Sequence, residues 1–383
     1  VNWQPRNMAK RPGELARNSL SHLARGADAV MFFQFRASRF GAEKFHSAMV
    51  PQAGLDTRTW REVTELGGQL AQLPDLPDVS SGASIALVFD WENWWAIDGR
   101  DHPIALDYLT LAHRWHAALH RQNLAVDIVN TTSDLSAYSL VVAPQQYLLG
   151  DEGAANLSAY VEQGGNLFIS AFSDVVDQDD AFREGGFIVS LREVLGVALE
   201  DFGALVPPES VRSADSAGEV ASHAVPDGPG QSEAPLDGPA GRIVGQYFAE
   251  ELIVQDAEVL GRFTEGRTAG RAAFTRKRAG AGNGFYLATI PDDAGMTAVL
   301  GWLASEAGVA AEIPGLPEHV EIARRGSILT VINHSAAPID VDVIGTDMLT
   351  GSTDARRELG AFGWAFIDTS DSPPPHHSQK ENS

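Results

Sequence analysis

"ADAVMFFQFRASRFGAEKFHSAMVPQAG" spans residues 27–54, and its reading decides the fold. The opening "ADAVMFFQF" (27–35) is a near-continuous apolar run rich in β-formers, which predicts a strand covered on both faces. After it come Gln34, Arg36, Arg39, Glu43 and His46, interleaved with Phe33, Phe35, Phe40 and Phe45. A solvent loop would favour Ser, Asn, Gly and Asp and would have no use for those phenylalanines. Upstream, "PGELARNSLSHLARG" (12–26) predicts a helix, with Pro12 in the first turn, Glu14 at the positive end of the dipole and Gly26 at C′. Downstream, "DTRTWREVTELGGQLAQL" (56–73) predicts another, capped by Asp56, with Trp60, Val63, Leu66, Leu70 and Leu73 on one stripe. The result is an αβα piece, and one buried strand with two helices makes no core of its own.

The whole chain bounds the answer. Its 383 residues are too many for one ordinary domain, and 44% hydrophobic content supports sizeable cores. A formal charge of −23 argues against a nucleic-acid partner and against an anionic membrane surface. With no cysteine there is no disulfide, no thiolate zinc site and no Cys nucleophile, and the expectation is a cytoplasmic protein. The chain starts at Val1, which suggests a processed or truncated product.

"PDLPDVSSG" (74–82) reads as a linker. A βα rhythm begins after it. "ASIALVFD" (83–90), "LAVDIVN" (124–130), "YSLVVAP" (138–144) and "NLFISA" (166–171) read as strands, with helices over 102–122 and 151–163. This predicts an open parallel sheet with helices on both faces. Residues 207–240 are rich in Pro, Gly, Ser and acids and read as a partly disordered surface excursion. Residues 242–255 and 283–290 read as added strands of the same sheet, 267–278 as a solvated basic hairpin, and 295–308 as a closing helix. Two-residue alternation over 317–369 predicts a small antiparallel β-sandwich, followed by a disordered tail.

Two stretches invite chemistry. If 27–35 is a barrel strand, its polar continuation lies where barrel enzymes build their sites. Glu43 and His46 then share one helical face and could hydrogen-bond adjacent sugar hydroxyls; the plain alternative is a surface loop in which Glu43 pairs with Arg39 or Lys44. Trp3 could stack on a pyranose or simply fill a core. In "FDWENWWAIDGRDHP" (89–103), Trp91, Trp94 and Trp95 follow a strand's carboxyl end, either buried at an interface or lining a neighbouring subunit's pocket. "VVAPQQYLLG" (141–150) has a strand-turn placement but offers Gln145 and Gln146 instead of a nucleophile, and "GAGNGF" (280–285) lacks the lysine of a phosphate loop.

Residues 2–54 together with "TRTWREVTELGGQL" resemble the end of the catalytic barrel of family 42 glycoside hydrolases, the bacterial β-galactosidases. The resemblance implies an α/β chain in five parts: the C-terminal piece of a (β/α)8 TIM barrel (1–73, helix 7, strand 8 and helix 8), a linker (74–82), a flavodoxin-like or amidotransferase-like trimerisation domain (83–310), a C-terminal β domain (311–370) and a tail (371–383). It implies retaining hydrolysis of terminal β-D-galactosides, a homotrimer and no cofactor, with Trp3, Glu43 and His46 as substrate-binding residues. Trp91, Trp94 and Trp95 would then wall a neighbour's pocket, and Arg36 and Arg39 would brace the loop by ion pairs. The acid/base and nucleophile glutamates are expected upstream of Val1, so the chain taken alone would be an inactive fragment or a non-catalytic oligomerisation and sugar-binding remnant. The cysteine zinc cluster of some members has no counterpart here.

Overall fold

The computed structural model describes residues 6–77, 82–99, 102–205 and 233–370. Two compact units result: residues 83–311, and a second unit that joins 1–82 to 312–383.

In the second unit, α1 (Glu14–Ala24) and α2 (Arg58–Leu70) flank a single 3-10 turn (Ala42–Phe45). Gly26 ends α1 at φ 106, its N–H donating to Leu23 O while that of Ala27 donates to His22 O. This double closure takes up the last carbonyls of the helix. At α2 the cap is Thr57, whose Oγ1 accepts from Trp60 N at 3.4 Å; Asp56 instead pairs with Arg61 at 2.9 Å. A hydroxyl one residue nearer the first turn reaches the orphan N–H, and Asp56 does not.

No strand forms over 27–35. The segment has no regular structure, and Met31, Phe33 and Phe35 are 89%, 58% and 64% exposed, while Phe32 between them packs on a core. Its backbone pairing is local: Met49 N donates to Gln34 O, Val50 N to Phe35 O and Ala37 N to Val50 O. A buried parallel strand needs a ladder on each edge. Among the described residues 27–35 has neither, so the expectation of burial on both faces is corrected to one covered face.

The other unit is built on an eleven-stranded mixed sheet. Chain order runs β1 (Ile85–Val88), α3 (Trp91–Ile97), α4 (Tyr108–His120), β2 (Val126–Val129), β3 (Leu140–Ala143), α5 (Asp151–Glu162) and β4 (Asn166–Ser170). Next come α6 (Arg192–Leu195), β5 (Val197–Ala204), β6 (Ala234–Gly238), β7 (Gly241–Val254), β8 (Glu258–Phe263), β9 (Ala272–Ala279), β10 (Gly282–Leu287), β11 (Thr289–Pro291) and α7 (Asp293–Glu306). Strands lie in the order β11-β7-β6-β8-β9-β10-β4-β3-β1-β2, with β5 on β7. From β10 to β2 the pairs are parallel, and all four residues of β1 and of β3 are buried, as continuous apolar runs require. From β1 the chain passes to β2 on one side, then returns to β3 on the other. This reversal opens a crevice at the strands' carboxyl ends.

Three details differ from expectation. Residues 91–97, for which the sequence suggested no helix, are helical. Residues 234–238, read as part of a disordered excursion, form β6; residues 206–232 lie outside the described ones. Within 267–278, "AAFT" (272–275) is buried in a strand between β8 and β10, while Arg276 and Lys277 pair with Glu258 and Asp256 at 2.7 and 2.8 Å. The small and apolar residues fill a sheet position, and only the strand's basic end reaches water.

The chain closes with β12 (Val320–Arg325), β13 (Ile328–Asn333), β14 (Ile339–Asp342), β15 (Thr346–Asp347), β16 (Arg356–Leu359) and β17 (Trp364–Asp368). These form an antiparallel β12-β13-β17-β15 sheet and a β14-β16 pair. One face of the larger sheet covers α1 and α2: Leu20, Leu23, Leu66, Ile328, Ile332 and Phe366 share one core. The helices that lacked a core in the sequence obtain it from residues three hundred positions away. Buried Arg325 pins this junction, donating to Leu23 O, Ala27 O and Pro77 O and pairing with Asp28 at 2.9 Å.

Candidate functional site

The polar stretch after Phe35 folds back on itself. Gly41, at φ 85, turns the chain into the 3-10 turn that carries Glu43, and His46 N donates to Glu43 O at 2.9 Å as the turn closes. Gln52 ties the loop's two arms, donating to Lys44 O at 2.6 Å and Ser38 O at 3.4 Å, while Ser38 Oγ donates to the Gln34 side-chain oxygen at 3.2 Å. His46 is 5% exposed and stands edge-on to Phe33 with centroids 6.2 Å apart. Glu43 is exposed. Phe35 meets Trp60 of α2 edge-on, also at 6.2 Å. The structure therefore brings Glu43 and His46 into one short turn beside exposed aromatic rings. Such a set can hydrogen-bond hydroxyls and present an apolar face to a sugar ring.

The ion-pair expectations for this loop do not hold. Among the described residues, Arg36, Arg39 and Glu43 enter no salt bridge, and both arginines are exposed. An exposed pair gains so little over hydration that nothing compels the long side chains to meet. Trp3 lies outside the described residues.

The crevice between β1 and β3 gathers a second polar set. Asp90 follows β1 and accepts from Gln146 Nε2 at 3.1 Å and Thr131 N at 3.4 Å; burial pushes its carboxyl up, against those hydrogen bonds. Asn93, fully buried on α3, donates to Gln145 O at 3.0 Å and accepts from Leu148 N at 2.9 Å. Gln145 adopts φ 48 just past β3, and its side-chain oxygen accepts from Trp115 Nε1 at 2.9 Å while its amide donates to Ser170 Oγ. A tight strand-to-loop turn of this kind presents the nucleophile in elbow-type hydrolases. Here the position holds a buried amide with its hydrogen bonds spent internally, and the chain has no cysteine. Beside Asn93 and Asp90, burial pushes the Tyr108 hydroxyl up to about 12.

Above the crevice, α3 presents Trp91 and Trp95 at 55% and 65% exposure, while Trp94 packs partly into the core. Trp91 lies 5.4 Å from Trp94, 6.3 Å from Trp95 and 5.6 Å from Phe89, centroid to centroid. Within one chain these tryptophans form a surface cluster instead of a buried one. Sequence reading missed the network of Asp90, Asn93 and Gln145, and with it buried Glu250, which accepts from Phe172 N at 2.9 Å and Tyr286 Oη at 2.6 Å. Glu250 sits in "YFAEELIV", where the run of apolar neighbours was the available signal. No group of three or more His, Asp or Glu among the described residues is arranged to hold a metal ion, and no described helix is long and apolar enough to cross a membrane.

Comparison with known proteins agrees with this architecture. Residues 83–310 match the β-galactosidase trimerisation domain of glycoside hydrolase family 42, and residues 1–73 match that family's β-galactosidase domain. A β-galactosidase of Arthrobacter sp. is 38% identical over 357 residues, 92% of this chain and 48% of its own length. Another, LacZ of Heyndrickxia coagulans, is 32% identical over 93% of this chain and 51% of its own. The crystal structure of β-galactosidase from Bacillus circulans sp. alkalophilus superposes with a TM-score of 0.84 at 31% identity, covering 96% of this chain and 53% of that one. This chain thus spans about half the length of the relatives it matches. On its sequence and its fold alike, the chain belongs to the glycoside hydrolase family 42 β-galactosidases.

Proposed function

We propose that this chain is the part of a cytoplasmic retaining β-galactosidase that walls the galactose site and carries the subunit contacts. The observation that carries the reading is the family match across residues 1–73, which includes the single turn holding Glu43 and His46. In this reading 1–73 is the end of a TIM barrel, with 27–35 standing at the place of its eighth strand without forming one, and 83–310 is a flavodoxin-like trimerisation domain. Glu43 accepts hydrogen bonds from galactose hydroxyls, His46 exchanges one with a neighbouring hydroxyl, and Trp3 stacks on the sugar. These contacts tighten as the ring flattens toward the oxocarbenium-like transition state, and only that differential gain raises the rate. The acid/base and nucleophile carboxylates of the two-step retaining reaction are assigned to no residue of this chain. Trp91, Trp94 and Trp95 are assigned to the wall of a neighbouring subunit's pocket, supported by the exposure of Trp91 and Trp95.

The test is galactose binding and nitrophenyl β-galactoside hydrolysis by the 383-residue chain, beside Glu43→Gln and His46→Ala. We expect no turnover, and galactose affinity about tenfold lower in each variant, from a lost hydrogen bond of roughly 1.4 kcal/mol. Turnover by the chain alone would overturn the placement of the carboxylates elsewhere. Affinity unchanged in both variants would overturn the roles of Glu43 and His46.

A further inference from the structure

The stretch between β4 and α6, residues 171–191, follows a path that ordinary residues avoid. Phe172, Asp174 and Ile188 stand at φ 66, 51 and 60, all in the left-handed region, where a β-branched residue such as Ile188 is rare. Side chains hold that path at both ends. Asp174 ties the far end, accepting from Ser190 N at 2.9 Å and Leu191 N at 3.0 Å. The near end hangs on Glu250 of β7, which accepts from Phe172 N at 2.9 Å and from Tyr286 Oη of β10 at 2.6 Å. Between them Asp174 N donates to Gln146 O and Val175 N to Tyr147 O, so the stretch also backs the turn after β3.

Glu250, Phe248 and Tyr286 are all fully buried. Next to Glu250, Glu251 turns to the strand's other face and pairs with Arg267 and Arg271, the arginines that also take Asp201 and Glu200 of β5. Among the described residues Glu250 itself has no cationic partner. The other titratable or charged groups on its side are Tyr286, Asp174, Arg183 and His102. Arg183 Nε lies 3.9 Å from Asp174, and the His102 ring meets that of Phe172 at 5.8 Å. Burial drives the Glu250 carboxyl up to about 7, against its two hydrogen bonds.

We propose that Glu250 is a proton-controlled latch on residues 171–191: neutral, it keeps the stretch closed on the sheet, and ionised, it lets the stretch open to water. An uncharged carboxyl can stay buried, whereas a carboxylate without a counter-cation gains by hydration, which parting from Phe172 supplies. The closed form holds the proton up to about pH 7, and an exposed Glu250 returns toward 4.5. Opening therefore becomes easier as pH rises from 4.5 and levels off above 7. The stretch backs Gln146, whose side chain donates to Asp90, so the crevice at the carboxyl ends of β1 and β3 tightens in mild acid and relaxes near neutrality.

Hydrogen exchange of the full chain, read by mass spectrometry as protection factors from about pH 5 to about pH 8, tests this. Peptides from 171–191 should lose protection about tenfold per pH unit up to about pH 7 and no further, while peptides from β1 and β3 keep theirs. Glu250→Gln, uncharged and of the same shape, should hold the stretch's protection constant across the range. Asp174, which burial also pushes up, still titrates in that variant, so the two carboxyls are told apart. Tyr286→Phe removes a bond that favours the ionised form, and its levelling-off should move to higher pH. Constant protection in the parent overturns the proposal, as does a pH-dependent loss that Glu250→Gln retains or that all peptides share equally. If Glu250→Gln does not fold, Tyr286→Phe decides, and a profile that stays in place overturns the latch.

Discussion

One buried carboxylate, Glu321, ties the stability of its surroundings to pH. Glu321 is 5% exposed, accepts from Ser21 Oγ at 2.5 Å and His334 Nε2 at 2.7 Å, and is paired with Arg25. Burial works against its ionisation, yet His334, Arg25 and Ser21 outweigh burial and hold the carboxyl at about 2. A value depressed from 4.5 means the stabilisation is complete above the unfolded value and is lost as pH falls from 4.5 toward 2. We expect Glu321→Gln to remove on the order of 2–3 kcal/mol at neutral pH and to flatten the Tm-against-pH curve across that window. A variant whose Tm tracks the parent's at every pH would contradict the account. Residue types at this scale were readable: Glu43, His46 and the three tryptophans were singled out as they stand in the chain. Exposure was not. Whether Arg39 meets Glu43, or whether Asp56 or Thr57 caps α2, turns on differences of a kilocalorie or less, and sequence does not resolve them.

At the level of elements, periodicity served best where both faces of a segment share one fate. The wholly buried runs of β1 and β3 and the strong stripe of α2 appear within a few residues of expectation. It failed at 27–35 because a run of apolar residues states a preference for burial and not the presence of neighbours to provide it. It failed again at 91–97, where three tryptophans and an asparagine resemble a loop until Asn93 is seen bonding to Gln145 and Leu148. Leu20 of α1, 1% exposed between the helices and the β12-β13-β17 sheet, tests how firmly these elements depend on each other. Leu20→Ala is expected to cost about 2–5 kcal/mol. Denaturant unfolding followed through the fluorescence of Trp364, which packs on the same core, should show its midpoint fall. A midpoint that stays put would mean that α1 and the sheet do not fold as one.

At the scale of the whole molecule, the α/β class, the parallel half of the large sheet and the closing antiparallel strands were legible in 3.6- and 2-residue periods. The union of residues 1–82 with 312–383 was not, since no periodicity links positions so far apart. That union has a consequence in time. As the chain emerges from the ribosome, residues 83–311 are contiguous and can close their core as soon as Ala311 has cleared the exit tunnel. Helices α1 and α2 are made before residues 83–311, yet Ile328, Ile332 and Phe366, which cover them, are made after those residues. The two helices must therefore wait, with Leu20 and Leu66 uncovered, until residues 83–311 and the strands after them have been made. Nascent chains halted once Ala311 has emerged should resist protease across the α/β unit and be cut within 14–70, whereas released chains resist in both. Protection of 14–70 before the last strands exist would show that the helices find another cover while they wait.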